Sequence, residues 1–260
     1  MDRSGGRLAL FSIPAGVALM FLVGPLFKLI VTSDMRLLGG AFVDPAVLSA
    51  IWLSVAAATW ATLAGAVLGI PLGFLLARYD FRGRAIVEGL IDLPIVIPHP
   101  IAGIALLFVF GRRFFLGRAF QMLGVRFPGA VPGIVVAMLF VSAPFLINAA
   151  RDGFRAVDER LENVARTLGR GPWAAFFGVT LPLARGPLVS GAVMMWARAL
   201  SEFGAVVVLA YYPMTAPVLI YDRFETLGLR SAQPVAAVVV IVALAIFATL
   251  RYLNLRRVPV

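Results

Sequence analysis

The sequence predicts an all-α polytopic membrane protein with six transmembrane helices and both termini in the cytoplasm. Three observations predict it. Of 260 residues, 61% are hydrophobic, more apolar surface than a soluble globule of this length can bury and still cover with polar groups. Only 14% are charged, against about 25% in ordinary soluble domains. The apolar residues also gather in charge-poor windows of about 20 residues or more, the length that crosses a bilayer core. With a mean hydropathy of +0.96, the composition speaks against a soluble enzyme, a disordered regulator or a nucleic-acid-binding domain.

The windows follow in order. The first covers 8–27. It comes after Arg3 and Arg7, as the core of a signal peptide would, but it runs long and no small-x-small site closes it, so it reads as a retained span. The second, 45–77, is too long for one upright span, so its start is expected to lie along the outer surface or to tilt. The third is 93–111, the fourth 127–150, the fifth 186–221, interrupted by Arg198 and Glu202, and the sixth 231–250. Six spans place both termini on one side. Segments 1–7, 78–92, 151–185 and 251–260 carry 14 basic residues, and the opposite segments 28–44, 112–126 and 222–230 carry 8. Cytoplasmic loops hold the excess of Lys and Arg, so the termini are expected in the cytoplasm and the net charge of +10 is largely topological.

Three spans carry special residues. Gly65, Gly69 and Gly73 lie along one face of the second span, where another backbone can approach closely, as packing within the chain or as a subunit contact or gate. Pro94, Pro98 and Pro100 crowd the third span, and each removes a donor and restricts its predecessor. The helix is expected to kink or unwind around Pro98 and His99, as a pathway wall or hinge or as a kinked helix with a buried His. No second titratable partner for His99 is apparent in the sequence. Arg198 and Glu202 are four apart and can pair on one helix face. They form either a self-neutralising structural pair or part of a path or gate, since charges at membrane depth face the protein interior.

Absences narrow the chemistry. The single lysine, Lys28, follows no Gly-rich turn, so the chain cannot form a P-loop. One His and no Cys exclude the common zinc motifs and disulfides, and no metal or catalytic residues are expected. The one long polar stretch is 151–185. Residues 158–168 show helical spacing, with Leu161, Val164, Ala165 and Leu168 on one face and Asp158 as N-cap. Gly169 and Gly171 stop that helix, and Pro172 opens a second, 173–180, which Pro182 is expected to end. The pair makes a knob that exposes Trp173, Phe176 and Phe177, an apolar patch of the kind that marks a partner surface.

Asn163-Val164-Ala165, three residues, Gly169, nine residues and Val179-Thr180-Leu181-Pro182 resemble the EAA loop (E-A-A, three residues, G, nine residues, I-x-L-P) of ATP-binding-cassette importer permeases. Asn163, Val164 and Val179 depart from the pattern, and Glu162 lies one place before the expected acid. Arg198-Ala199-Leu200-Ser201-Glu202-Phe203-Gly204-Ala205 is similar to the R-A-L-G-E-F-G-A stretch of molybdate, tungstate and sulfate permeases, with Ser201 in place of Gly. Pro94-Ile95-Val96-Ile97-Pro98 and Ala102-Gly103-Ile104-Ala105-Leu106-Leu107 resemble the third span of the molybdate and tungstate members.

The resemblance implies a small-importer permease fold in a prokaryotic cell membrane. Residues 1–260 then form a single transmembrane permease domain, with 151–185 as its cytoplasmic coupling loop. It implies a homodimer in membrane lipid, bound to two ATP-binding-cassette ATPase subunits and served by an extracytoplasmic oxyanion-binding protein. ATP and Mg would belong to the partner, with no cofactor and no nucleic acid on this chain. Glu162, Asn163, Val164, Ala165, Gly169, Trp173, Leu181 and Pro182 would dock the ATPase. Pro98, His99, Arg198, Ser201, Glu202, Phe203 and Gly204 are candidates for the pathway or gate. The expected cargo is molybdate or tungstate. A sulfate importer of the same family is the alternative, and a stand-alone channel or secondary transporter is the alternative from another class.

Overall fold

A computed structural model describes the backbone of residues 3–255 and the side chains of residues 11–246, 248 and 249. Among the described residues every regular element is helical. The order is α1 (Arg3–Val31), α2 (Met35–Val43), α3 (Pro45–Arg78), α4 (Arg84–Val96), α5 (His99–Phe110), α6 (Phe115–Met122) and α7 (Val131–Arg155). It continues with α8 (Glu159–Thr167), α9 (Pro172–Ala175), a π-helical turn (Phe176–Thr180), α10 (Leu181–Leu200), α11 (Gly204–Leu209), α12 (Ala216–Leu227) and α13 (Leu229–Leu255). Five helical stretches are long and apolar enough to cross a membrane: Phe11–Val31, Pro45–Arg78, Val131–Arg155, Pro172–Leu200 and Leu229–Ile246. The bent pair α4 and α5 makes a sixth if it forms one broken span.

The chain divides into two compact units, residues 1–49 with 219–249 and residues 50–218 with 250–260. In the first, Gln233 Nε2 at the start of α13 donates to Leu29 O at 3.2 Å and to Thr32 Oγ1 at 2.9 Å, fastening it to the end of α1. Asp44 caps the start of α3 by accepting from Ala46 N–H at 2.8 Å, and Arg223 of α12 donates to its other oxygen at 2.5 Å.

The second unit is built on α7. Ile134, Ala137, Met138 and Val141 form the centre of a core that takes in Ala57, Ala58 and Ala61 of α3, Ala102 and Leu106 of α5, and Ala205, Val206 and Leu209 of α11. The small residues let α3 lie close. A Cβ on Gly65 would run into Met195 of α10. One on Gly69 would meet Ile147 Cγ1 at 2.9 Å, and one on Gly73 would meet Ala150 Cβ at 2.7 Å. The glycine face of the second span is thus buried within the chain, against α7 and α10.

The second span runs as one helix of 34 residues through Pro71, about 50 Å long, longer than an upright span needs. Two expectations are corrected. The fifth window is not one segment. Its helix ends at Leu200, because the Glu202 carboxylate takes the N–H of Ala205 and starts α11, while buried Ser54 takes the N–H of Ala216 and starts α12. Side-chain acceptors here satisfy donors that a break at membrane depth would otherwise leave bare. Pro182 does not end a helix either. The preceding turn widens, Leu181 N–H donates back to Phe176 O, and the chain continues into α10. A proline lacks the donor a regular α-turn requires, and a π-turn absorbs that loss.

The third span breaks where the prolines predict. Ile97 N–H closes α4 on Leu93 O at 3.1 Å, and Pro98 O then accepts from Ile101 at 2.9 Å to open α5. The two helices meet at 115°.

Candidate coupling surface and pathway cluster

The knob begins with an N-cap. Asp158 Oδ1 accepts from Arg160 N–H at 2.9 Å, and α8 runs to its C-cap at Leu168. Gly169 follows at φ +87°. Its N–H donates to Arg166 O at 3.0 Å and that of Arg170 to Ala165 O at 3.1 Å, a complete Schellman termination. Only a residue without Cβ adopts this left-handed backbone freely, which is the physical demand behind a glycine here. Arg170 then folds back over the π-turn, so that a Cβ on Gly178 would meet its Nη1 at 2.5 Å.

The predicted docking residues divide. Glu162 points inward, and Thr180 Oγ1, fully buried, donates to it at 2.9 Å. Ala165 is buried and Leu181 packs on the Ala150, Phe154 and Leu188 core. Asn163, Val164, Gly169 and Pro182 are exposed. Trp173 is 75% exposed and stacks on exposed Phe177, with ring centroids 6.2 Å apart. Phe176 corrects the expectation of an exposed trio, since it turns in against Phe74 at 5.0 Å and Phe154 at 6.0 Å. The second predicted helix is therefore a short α9 and a π-turn, with one ring anchored and two presented. Glu162 and Thr180 clip α8 to the root of α10.

A belt of ion pairs, which the sequence did not single out, joins the helix ends beside the knob. Arg78 Nη1 donates to Val157 O at 3.1 Å and to Glu159 at 3.2 Å, while its Nε and Nη2 are buried without a hydrogen-bond partner. Glu88 of α4 receives Arg84 at 3.1 Å and Arg155 at 3.0 Å, with Arg151 at 3.7 Å. Asn148 donates to Asp92 at 2.6 Å. The one available signal was that these groups fall in or beside the Arg-rich segments.

The pathway candidates come together more tightly than the sequence indicated. Arg198 Nη2 donates to Glu202 Oε2 at 2.9 Å and also contacts His99 Nε2. His99 therefore has two charged neighbours, which corrects the expectation that it has no titratable partner. The imidazole lies 4.0 Å from Glu202 Oε2. Glu202 is 1% exposed, and its other oxygen accepts from Ala205 N–H at 2.8 Å. Ser201 Oγ lies 3.5 Å from Arg198 Nη1 and donates to Arg198 O at 3.1 Å. Gly204 permits the meeting, since a Cβ there would lie 2.7 Å from His99 Cβ and 3.1 Å from Pro100 Cδ. Phe203 packs at the edge of the α7 core and Pro98 stays exposed at the break. Among the described residues no three of His, Cys, Asp and Glu gather as a metal site would need.

Residues 69–257 match the family described as binding-protein-dependent transport system inner membrane component. The chain is 49% identical to the molybdate/tungstate transport system permease protein WtpB of Thermococcus kodakarensis, over 85% of this chain and 84% of that one. It is 46% identical to the WtpB of Pyrococcus furiosus over 97% of both. Among solved structures it is similar to a bacterial ABC transporter involved in the import of the acidic polysaccharide alginate, with a TM-score of 0.76 over 99% of this chain and all of that one, at 18% identity. It is also similar to the MetNI methionine ABC transporter in an inward-facing conformation, with a TM-score of 0.62 at 17% identity over 81% of this chain and 93% of that one. At such identities the likeness is one of fold.

Proposed function

The chain belongs to the family of binding-protein-dependent transport system inner membrane components, and from that premise we propose that it is the permease of an ATP-driven importer for molybdate or tungstate. The cargo follows the WtpB relatives, whose likeness extends over nearly the whole chain. The observation that carries the mechanism is the knob. Trp173 and Phe177 stand exposed on a short helix whose root is continuous with α10 and clipped to α8 through Glu162 and Thr180.

Two copies of the chain form the pathway, each as one permease domain with residues 151–185 as its coupling loop. Both termini lie in the cytoplasm with that loop. Residues 158–182 seat in a cleft of an ATP-binding-cassette ATPase, where Asn163, Val164, Trp173 and Phe177 make contact while Gly169 fixes the angle between α8 and α9. ATP and Mg act on that partner, and an extracytoplasmic binding protein delivers the oxyanion. Closure of the ATPases moves the knob, the π-turn and α10 together. Energy is coupled because the ATPase binds the two states of the permease unequally.

Uptake of labelled molybdate by vesicles that hold the permease, its ATPase and the binding protein tests the cargo. Unlabelled tungstate should compete well and sulfate poorly. Sulfate competing as well as tungstate would reassign the transporter to sulfate, and absence of uptake would overturn the reading.

A further inference from the structure

The cluster of His99, Arg198, Ser201 and Glu202 has two unlike sides. Both oxygens of Glu202 are engaged and the residue is 1% exposed. The accessible side carries the guanidinium instead. Ser201 is exposed, the His99 side chain is 39% exposed, and Arg198 is 22% exposed, with Nη1 in only a long 3.5 Å contact to Ser201 Oγ. Resting on the importer reading above, we propose that this accessible side is a transient binding site for a tetrahedral oxyanion within the membrane pathway.

The chemistry fits such a ligand. A guanidinium offers paired N–H donors that match two oxygens of a tetrahedral anion. The Ser201 hydroxyl, once turned from the Arg198 carbonyl, and the imidazole beside it add polar groups that replace lost hydration. Glu202 keeps the arginine neutralised while the site is empty, so the charge is tolerated at membrane depth. The same carboxylate weakens the hold on an arriving anion, and a pathway site must release what it binds. The location agrees, because the cluster joins the break between α4 and α5 to the break between α10 and α11. Irregular backbone at membrane depth is tolerated where it is buried in protein or lines a cavity.

A purely structural strut would tie His99, Ser201 and Glu202 to Arg198, but its hold on Ser201, a long contact from Nη1 and a hydroxyl bond to the Arg198 carbonyl, would respond alike to asparagine and aspartate. Ser201 is therefore the position to test, in the permease assembled with its ATPase and binding protein in proteoliposomes. Ser201→Asp should lower uptake of labelled molybdate by about tenfold or more, because a fixed negative charge repels the dianion. Ser201→Asn should keep most of it, and the ATPase should co-purify equally with both. Equal uptake by the Asp variant and the parent, or equal loss in the Asp and Asn variants, would overturn the site. Uptake of no oxyanion by the parent would instead overturn the importer reading.

Should the Asp variant fail to assemble, the absence of cysteine from the chain gives a second route. Ser201→Cys introduces a single thiol, to be labelled with 2-sulfonatoethyl methanethiosulfonate in the permease–ATPase complex without nucleotide. Molybdate should slow the labelling several-fold, while chloride at matched ionic strength should not. Identical rates with the two anions would overturn the site.

Discussion

Gly169 combines a left-handed backbone with exposure to solvent, so a side chain there strains the turn without meeting a neighbour. Placing a β-carbon in that conformation costs about 1–2 kcal/mol, concentrated at the joint of the knob. Gly169→Val should leave the permease folded in detergent but reduce co-purification of the ATPase and ATP-driven uptake together. Wild-type levels of both would remove the glycine from the coupling joint. Asp44 gives a residue-scale prediction with a pH sign. The hydrogen bond from Arg223, with that from Ala46 N–H, holds its carboxyl below the ordinary value of 3.8. A lowered carboxylate stabilises the fold above its unfolded pKa, and that contribution disappears as the pH falls through the lowered folded value. Asp44→Asn should therefore lower the melting temperature at neutral pH, with the gap to the parent closing in acid. A gap independent of pH would mean that the ion pair carries no linkage.

At the scale of elements, the glycine face of α3 makes a contrast that thermal unfolding can read. Gly73 faces Ala150 and the backbone of Arg151, whereas a Cβ at Gly186 meets nothing within 4 Å. Gly73→Leu should destabilise by about 1–3 kcal/mol through overpacking, and Gly186→Leu far less. Similar losses at both would contradict the close packing of α3 on α7. The same scale shows what was legible beforehand. Hydropathy located α3 to within a residue, and Asp158 and Gly169 marked the two ends of α8, because length, capping and left-handed backbone are local demands. The prolines located the break between α4 and α5 for the same reason. The breaks after α10 were not legible. A charge-poor stretch reads as one span unless its side chains are known to hold backbone donors, as Glu202 and Ser54 do here. Pro182 misled because a π-turn, with Phe176 packed on Phe74 and Phe154, carries the helix through it.

For the whole molecule, the high apolar content becomes lipid-compatible surface. Phe11, Met20 and Phe21 of α1 and Trp52 and Trp60 of α3 are exposed, an arrangement that water does not favour. Charge is handled in two ways. Most Arg gathers on the segments expected in the cytoplasm, where Glu88 and Glu159 pair with some of it. Arg198 stays in the span because Glu202 and His99 surround it. That meeting joins positions 99 residues apart, and no local pattern in one sequence reports it. The sequence holds no P-loop, and on the proposed importer reading the energy comes from another chain and enters through the exposed knob. The most direct measurement is uptake of labelled molybdate into proteoliposomes that contain the permease, with and without the partner ATPase and ATP. Accumulation should require both, and an ion gradient alone should drive none. Gradient-driven accumulation by the permease without the ATPase would contradict the importer mechanism.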